Sequence, residues 1–287
     1  MTIENELLSA IIAPKGAELQ SLVLKASGHE YIWEADPAHW GKHAPVLFPF
    51  IGMLKGDSYL YKGRRYPMDK HGFARDHVFE MVSNTEEAVT FRLASNEQLR
   101  AKYPFEFQLD VSYRFKGQSI INEYVVRNLG DEPMPFSIGG HPAFRCPQLP
   151  GEQRSDYRLV FNKEEDIETH MLGEDGFFSG ETRPCFSGKT LPITDPLFDD
   201  DALVFKSLNS TNVSLERGDK RWLKFHYQGF PYLGIWSMSR TSPFVCIEPW
   251  FGMADHKYHE GDIEKKEGVQ IVQPGDEFVC DFRVEVF

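Results

Sequence analysis

Between Phe105 and Phe115 every odd-numbered residue is apolar and every even-numbered one polar: Phe-Glu-Phe-Gln-Leu-Asp-Val-Ser-Tyr-Arg-Phe. A period of two is the repeat of a β-strand with one dry and one wet face. Lys116-Gly117-Gln118-Ser119 then supplies turn residues, and Ile120 to Arg127 reads as the return strand of a hairpin. Tyr59 to Tyr66 reads as a second hairpin that turns at Lys62-Gly63. Val89–Leu93, Leu223–Tyr227 and Phe278–Val286 alternate in the same way. Helical spacing is scarce. The clearest short helix is Asn96 to Tyr103, with Ser95 as its expected N-cap and Pro104 as its stop. Crossover helices are missing, so two packed antiparallel sheets suit the chain better than a βαβ fold. Strand signals run to the last residues with no linker or change of composition. The expectation is therefore a single all-β domain over residues 1–287. The Gly-, Pro- and acid-rich stretch from about Arg145 to Asp201 is expected to be a loop-heavy excursion at one end of the sandwich.

Charge narrows the partners. The chain of 287 residues carries 31 basic and 43 acidic residues, a net charge of -12. That field repels phosphate backbones and anionic membranes, so neither nucleic acid nor membrane is an expected partner. Cys146, Cys185, Cys246 and Cys280 lie far apart without a CxxC pair, which argues against a zinc ribbon or a thioredoxin-type site. Cys280 falls on the apolar phase of a strand and reads as a small core residue. The N-terminus lacks the basic region of a secretory signal. No apolar run approaches the roughly 20 residues of a membrane helix. A soluble cytoplasmic protein is the expectation.

Four segments break the alternation with polar and conformationally special residues. They are Lys42–Gly52, Lys70–Asp76, Ser137–Phe144 and Cys246–Asp255. In the third, Gly139-Gly140 allows close backbone approach to a ligand or positive φ, and Pro142 biases His141 to extended geometry at a strand end. The plainer reading is a hydrogen-bonded histidine in a turn. In the fourth, Glu248 lies between an apolar approach and Trp250, where burial raises a carboxylate pKa and nearby donors lower it. The plainer reading there is a Glu paired with an Arg inside the sandwich. In the second, Gly72 follows His71, and Arg75 is a fork donor for a carboxylate, a phosphate or vicinal hydroxyls, unless Asp76 simply pairs with it.

Other chemistries fit less well. His256 and His259 are spaced at i and i+3, but Gly261 and the surrounding charges mark a solvated loop rather than a metal site. HExxH, P-loop, GxGxxG and GxSxG patterns are absent. The expectation is no cofactor and no metal.

Taken in order, His71-Gly-Phe-Ala-Arg-Asp76, Gly139-Gly-His-Pro-Ala-Phe144 and Ile247-Glu-Pro-Trp-Phe-Gly-Met-Ala-Asp255 resemble the aldose 1-epimerase (galactose mutarotase-like) family, in its LacX-like branch. Pro45-Val-Leu-Phe-Pro-Phe-Ile-Gly52, the Tyr59–Tyr66 hairpin and Asp200-Asp-Ala-Leu-Val-Phe205 are similar to the same branch. The resemblance implies a large antiparallel β-supersandwich with an open groove and no cofactor. It implies that His141 is a general acid, Glu248 a general base, and His71 a donor to the sugar near its ring oxygen. It implies that Asp201 binds sugar hydroxyls, with Asp199 and Asp200 as adjacent alternatives. Met53 stands where the family typically carries an Arg, and Arg75 is a candidate to supply that charge. Trp250 or Phe144 is a candidate to stack on a sugar face.

The implied reaction interconverts the anomers of a hexose by ring opening, an acid–base task suited to groups with pKa values on either side of neutrality. The acidic field favours a free hexose. A hexose 6-phosphate would need a local basic patch, for which Lys42, Arg75 and Arg145 are candidates. A non-catalytic sugar-binding groove and a glycoside hydrolase using Glu248 with an Asp are the other readings, the last requiring two carboxylates about 5–10 Å apart. Oligomeric state and the identity of the sugar are left open by the sequence.

Overall fold

The computed structural model describes all residues, Met1–Phe287. The alternating segments form one nine-stranded antiparallel sheet. Its order is Phe178–Pro192, Tyr157–Leu172, Asn212–Arg217, Lys220–His226, Glu277–Val286, Ser119–Asn128, Phe107–Lys116, Ala88–Ala94 and Glu80–Asn84. The hairpin read from the sequence pairs Phe107 with Asn128 through to Lys116 with Ser119 without a slip. Phe107, Leu109, Val111, Tyr113 and Phe115 are all buried, as the period of two requires. The opposite face is not uniformly wet. Asp110 is buried there and held by Arg92 and Arg127 at 2.7 and 2.6 Å. The Tyr59–Tyr66 hairpin turns where expected, with positive φ at both Lys62 and Gly63, which matches the right-handed strand twist.

A second sheet of six strands packs against the first. Leu203–Lys206, Tyr232–Trp236, Phe244–Phe251, Ile138–Gly140 and Val46–Leu47 lie in that order, and Ala143–Arg145 also pairs with Phe244–Phe251. A four-stranded sheet, Thr2–Glu4, Leu8–Ala13, Glu18–Leu24 and His29–Glu30, completes the N-terminal part. One continuous core of 64 buried residues runs from Ile3 to Val286. Cys280 packs against that core although it is only partly buried.

Two expectations need correction. The stretch from Arg145 to Asp201 is not mainly loop. It holds the long hairpin Tyr157–Leu172 and Phe178–Pro192, whose register shifts near Val160, Ile167 and His170. Those bulges break the alternation that would have revealed the strands. The short helix is Glu97–Lys102, capped by Asn96 rather than Ser95: Asn96 Oδ1 accepts the Leu99 N–H at 2.9 Å. The Ser95 hydroxyl instead donates to Glu106 at 2.6 Å.

Candidate active site

The strand Phe244–Phe251 is flanked on both sides and buried through Trp250, so its sequence is nearly continuous in apolar residues. Side chains of Cys246, Glu248 and Trp250 alternate onto one face. On one side Gly234 stands opposite Glu248. On the other, Gly139 pairs with Trp250 and Ala143 pairs with Cys246. The same register carried between those pairs sets His141 opposite Glu248, at the break between two short strands. His141 Nε2 lies 3.2 Å from Glu248 Oε2. The pair is thus a cross-strand neighbour pair, placed by sheet register rather than by a flexible loop.

The glycines around it serve the indole. A Cβ at Gly234 would sit 2.5 Å from the Trp250 ring, and one at Gly139 would sit 2.6 Å from it. A Cβ at Gly140 would meet Phe282 at 2.8 Å. The Gly139-Gly140 pair therefore makes room for aromatic side chains, which corrects the expectation that it brings backbone to a ligand or adopts positive φ.

His71 reaches the pair from a different segment. His71 and Gly72 both have positive φ, 68° and 73°. A Cβ at Gly72 would lie 2.3 Å from the Phe48 carbonyl oxygen, so only glycine fits there. The Gly52 N–H donates to His71 Nδ1 at 3.1 Å. A neutral ring with Nδ1 accepting must carry its proton on Nε2, and is therefore a donor through that atom. The rings of His71 and His141 are 5.8 Å apart.

Six of the residues singled out in the sequence line one cavity of about 380 Å³: His71, Arg75, His141, Asp201, Glu248 and Trp250. That volume suits a small molecule. The run Asp199-Asp200-Asp201 is resolved by its partners. Asp199 pairs with Arg240 and Asp200 with Arg183, whereas Asp201, at φ 78°, faces the cavity and accepts only the Ala202 N–H. Met53 also lines the cavity, packed beneath Gly176 at the tip of the long hairpin. Leu172 and Phe178 of that hairpin form a wall.

Other expectations fail. Phe144 is fully buried against Phe225 and cannot stack on a ligand in the cavity. Neither Lys42 nor Arg145 lines the cavity: Lys42 contacts Asp76 at 3.5 Å and Arg145 contacts Glu34 at 3.3 Å. The basic groups that do line it are Lys70 and Arg75. Asp76 lies 3.6 Å from Arg75, yet Arg75 Nε is buried without a hydrogen bond. Glu248 has no arginine partner of the kind a structural role would need, and its contact is His141. Trp40 and Trp236 were not anticipated. Trp40 stacks on His141 at 4.8 Å and Trp236 meets it edge-on at 5.6 Å. Nothing in the local sequence around Trp40 marks it, because its role arises from strands far away in the chain. His256, by contrast, lies in a loop whose Tyr258 N–H donates to its Nδ1 at 3.2 Å.

Electrostatics follow from this packing. Burial takes His141 down to about 3, with Arg75, Lys70 and Lys42 adding to the effect. Burial, then His141 and Arg75, hold His71 well below the ordinary histidine value. Burial pushes Glu248 well above the ordinary carboxylate value; Lys70 opposes this and Asp201 reinforces it. Both members of the 3.2 Å pair are thereby driven towards their neutral forms. While both stay neutral the two hold one proton between them, and moving it between them changes no net charge. Such a pair can deliver a proton at one atom and accept one at another.

The sequence over residues 1–267 matches the model of the aldose 1-epimerase family. The chain is 36% identical over 288 residues to the chromosomal LacX protein of Lactococcus lactis subsp. lactis, covering 96% of each. A galactose mutarotase related enzyme from Lactobacillus acidophilus superposes with a TM-score of 0.93 at 35% identity, covering 100% of this chain and 97% of that one. A galactose mutarotase-like protein from Lactobacillus casei superposes with a TM-score of 0.94 at 34% identity, covering 100% and 99%. With its packed antiparallel sheets and its clustered histidines and glutamate, the chain belongs to the aldose 1-epimerase family.

Proposed function

We propose that the protein interconverts the α and β anomers of a hexose, using only its own side chains. The observation that carries this reading is the His141–Glu248 pair, 3.2 Å apart on the cavity wall and joined there by His71. Glu248 removes the proton of the anomeric hydroxyl. The C1–ring oxygen bond breaks as the C1 carbonyl forms, and the ring oxygen takes a proton from His141. Rotation about C1–C2 turns the other carbonyl face to the ring-closing hydroxyl, and the proton transfers reverse. Opening thus converts the charged tautomer of the pair to the neutral one, which burial favours. His71, neutral and donating through Nε2, hydrogen-bonds the sugar near its ring oxygen. Asp201 accepts hydroxyl protons, and Trp250 covers an apolar sugar face. Each positioned acid or base contributes about 10²–10⁴-fold.

A second reading, that the substrate is a hexose 6-phosphate, is favoured by one observation. Lys70 and Arg75 share the cavity, and Arg75 Nε is buried without a hydrogen bond. Two cations lining one cavity suit a phosphate more than a neutral hydroxymethyl group.

Optical rotation of freshly dissolved α-glucose, α-galactose and α-glucose 6-phosphate tests both readings. The expected result is faster anomerisation by wild type, lost in His141→Ala and Glu248→Ala. Acceleration confined to the phosphate, and weakened by salt, selects the second reading. Sugar binding without acceleration, unchanged in both variants, would replace catalysis with a binding-only groove.

A further inference from the structure

Beside the acid–base pair lies a third group for which the reaction has no use. Cys246 is two residues before Glu248 on the same strand, so its side chain emerges on the same face. A nitrogen of His141, the Cys246 sulfur and a Glu248 oxygen all lie within 4.8 Å of one another. All three residues are buried, and Cys246 is a free thiol. Glu248 Oε2, on a side chain only 2% exposed, has His141 Nε2 3.2 Å away but makes no geometrically sound hydrogen bond. A buried carboxylate oxygen without a sound hydrogen bond is costly, and a cation is one way to satisfy it.

We propose that His141, Cys246 and Glu248 form a binding site for a thiophilic divalent cation of the Zn²⁺ type, and that its occupation switches the acid–base pair off. Ligands of tetrahedral zinc, with bonds of about 2.0–2.3 Å, stand roughly 3.3–3.8 Å apart. The His141–Glu248 separation of 3.2 Å is already close to this, and the sulfur, within 4.8 Å of the other two atoms, needs an approach of up to about 1.3 Å. A set of one sulfur, one imidazole and one carboxylate selects zinc or cadmium over magnesium or calcium. His141 and Glu248 line the cavity while Cys246 does not, so the ion would enter from the cavity side. On binding, the thiol proton and the proton held by the pair leave to solvent. The metal then has thiolate, imidazole and carboxylate as ligands. With no proton to give and no free carboxylate to take one, the pair cannot open a sugar ring.

The activity arm of the test rests on the proposed epimerase reading; the spectroscopic arm does not. Metal-stripped wild-type protein is titrated with Co²⁺, then with Zn²⁺, and compared with Cys246→Ala and Cys246→Ser. Wild type is expected to bind one Co²⁺ with a sulfur-to-metal charge-transfer band that Zn²⁺ abolishes and Mg²⁺ does not. Both variants are expected to lose the band and to need at least about tenfold more Zn²⁺ for half-saturation. In the anomerisation assay Zn²⁺ should inhibit wild type, while Cys246→Ala keeps its basal rate and resists the metal. Absence of the band in wild type overturns the proposal, as does equal Zn²⁺ affinity in wild type and Cys246→Ala. If wild type binds the metal as expected but interconverts no anomers, the epimerase reading fails and the site stands.

Discussion

Asp110 and Glu248 are both buried carboxylates on central strands, 5% and 2% exposed, yet they are held in opposite states. Burial alone would raise Asp110, but hydrogen bonds from Arg92 and Arg127 outweigh it and hold the carboxyl below its ordinary value. Glu248 has no arginine partner; burial raises it, with Lys70 and the Trp250 indole opposing, and His141 is its neighbour. The first arrangement satisfies a charge and holds two neighbouring strands to the one between them. The second leaves a group poised to exchange a proton. A sandwich of this kind can tolerate the second because its regular hairpins supply the stability that the site gives up.

The strongest way to break that contrast is to remove the carboxylate on each side. Glu248→Gln is expected to lower the anomerisation rate by about 10²–10⁴-fold, measured by optical rotation. Asp110→Asn should leave that rate within about twofold, because its carboxylate lies outside the cavity. An Asp110→Asn enzyme as damaged as Glu248→Gln would mean that the two carboxylates are not functionally distinct.

A sharper version uses pH. On the proposed mechanism the pair works only while it holds one proton. Below the value to which burial takes His141, about 3, it holds two and has no base. Above the raised value of Glu248 it holds none and has no acid. The kcat/KM profile should therefore stay flat between about pH 6.5 and 4.5, where an ordinary histidine would titrate. An acid limb centred near 6.5 would show that His141 is not held in the buried state described.

Packing gives a further separation. Gly234→Ala places a methyl where the Trp250 ring stands, at 2.5 Å. Overpacking of this kind costs about 1–3 kcal/mol, and here it also displaces the indole beside Glu248. Denaturant unfolding should show the loss, and activity should fall about tenfold or more through the shifted cavity wall. Gly117→Ala, in the regular hairpin turn, meets no atom within 4 Å and has only its φ of 59° against it. It should cost about 1 kcal/mol and leave activity alone.

The same contrast governs what could be read from the sequence. Phe107–Lys116 was legible because a period of two is local: each residue reports its own face. His71, His141 and Glu248 were legible as special residues, since each interrupts a strand pattern or abuts a glycine or proline. Their meeting in one cavity was legible only through the family resemblance, because it depends on pairing between strands about a hundred residues apart. Trp40 and Trp236 had no such signal. Nor did the long hairpin Tyr157–Leu172 and Phe178–Pro192, whose bulges hide its period. The roles of Gly139 and Gly140 were misread because a glycine that admits a Trp ring looks, in sequence, like one that admits a ligand.

The smallest effect separates the two carboxylates by stability alone. Asp110 has a lowered folded-state pKa, so its contribution is present above the ordinary aspartate range and is lost as pH falls through the lowered value. Glu248 has a raised one. Between the ordinary glutamate range and that raised value, the folded chain holds a proton that the unfolded chain has released, so stability falls as pH rises. At pH 7, Asp110→Asn should destabilise by about 1–2 kcal/mol, moderated by its arginines being about a third exposed. Glu248→Gln should instead stabilise by about 1 kcal/mol, and the gain should shrink as the pH is lowered towards 4. Urea midpoints of both variants at pH 4.5, 6 and 8 would check the signs. A Glu248→Gln protein less stable than wild type at pH 8 would show that the glutamate, like Asp110, is there to hold the fold.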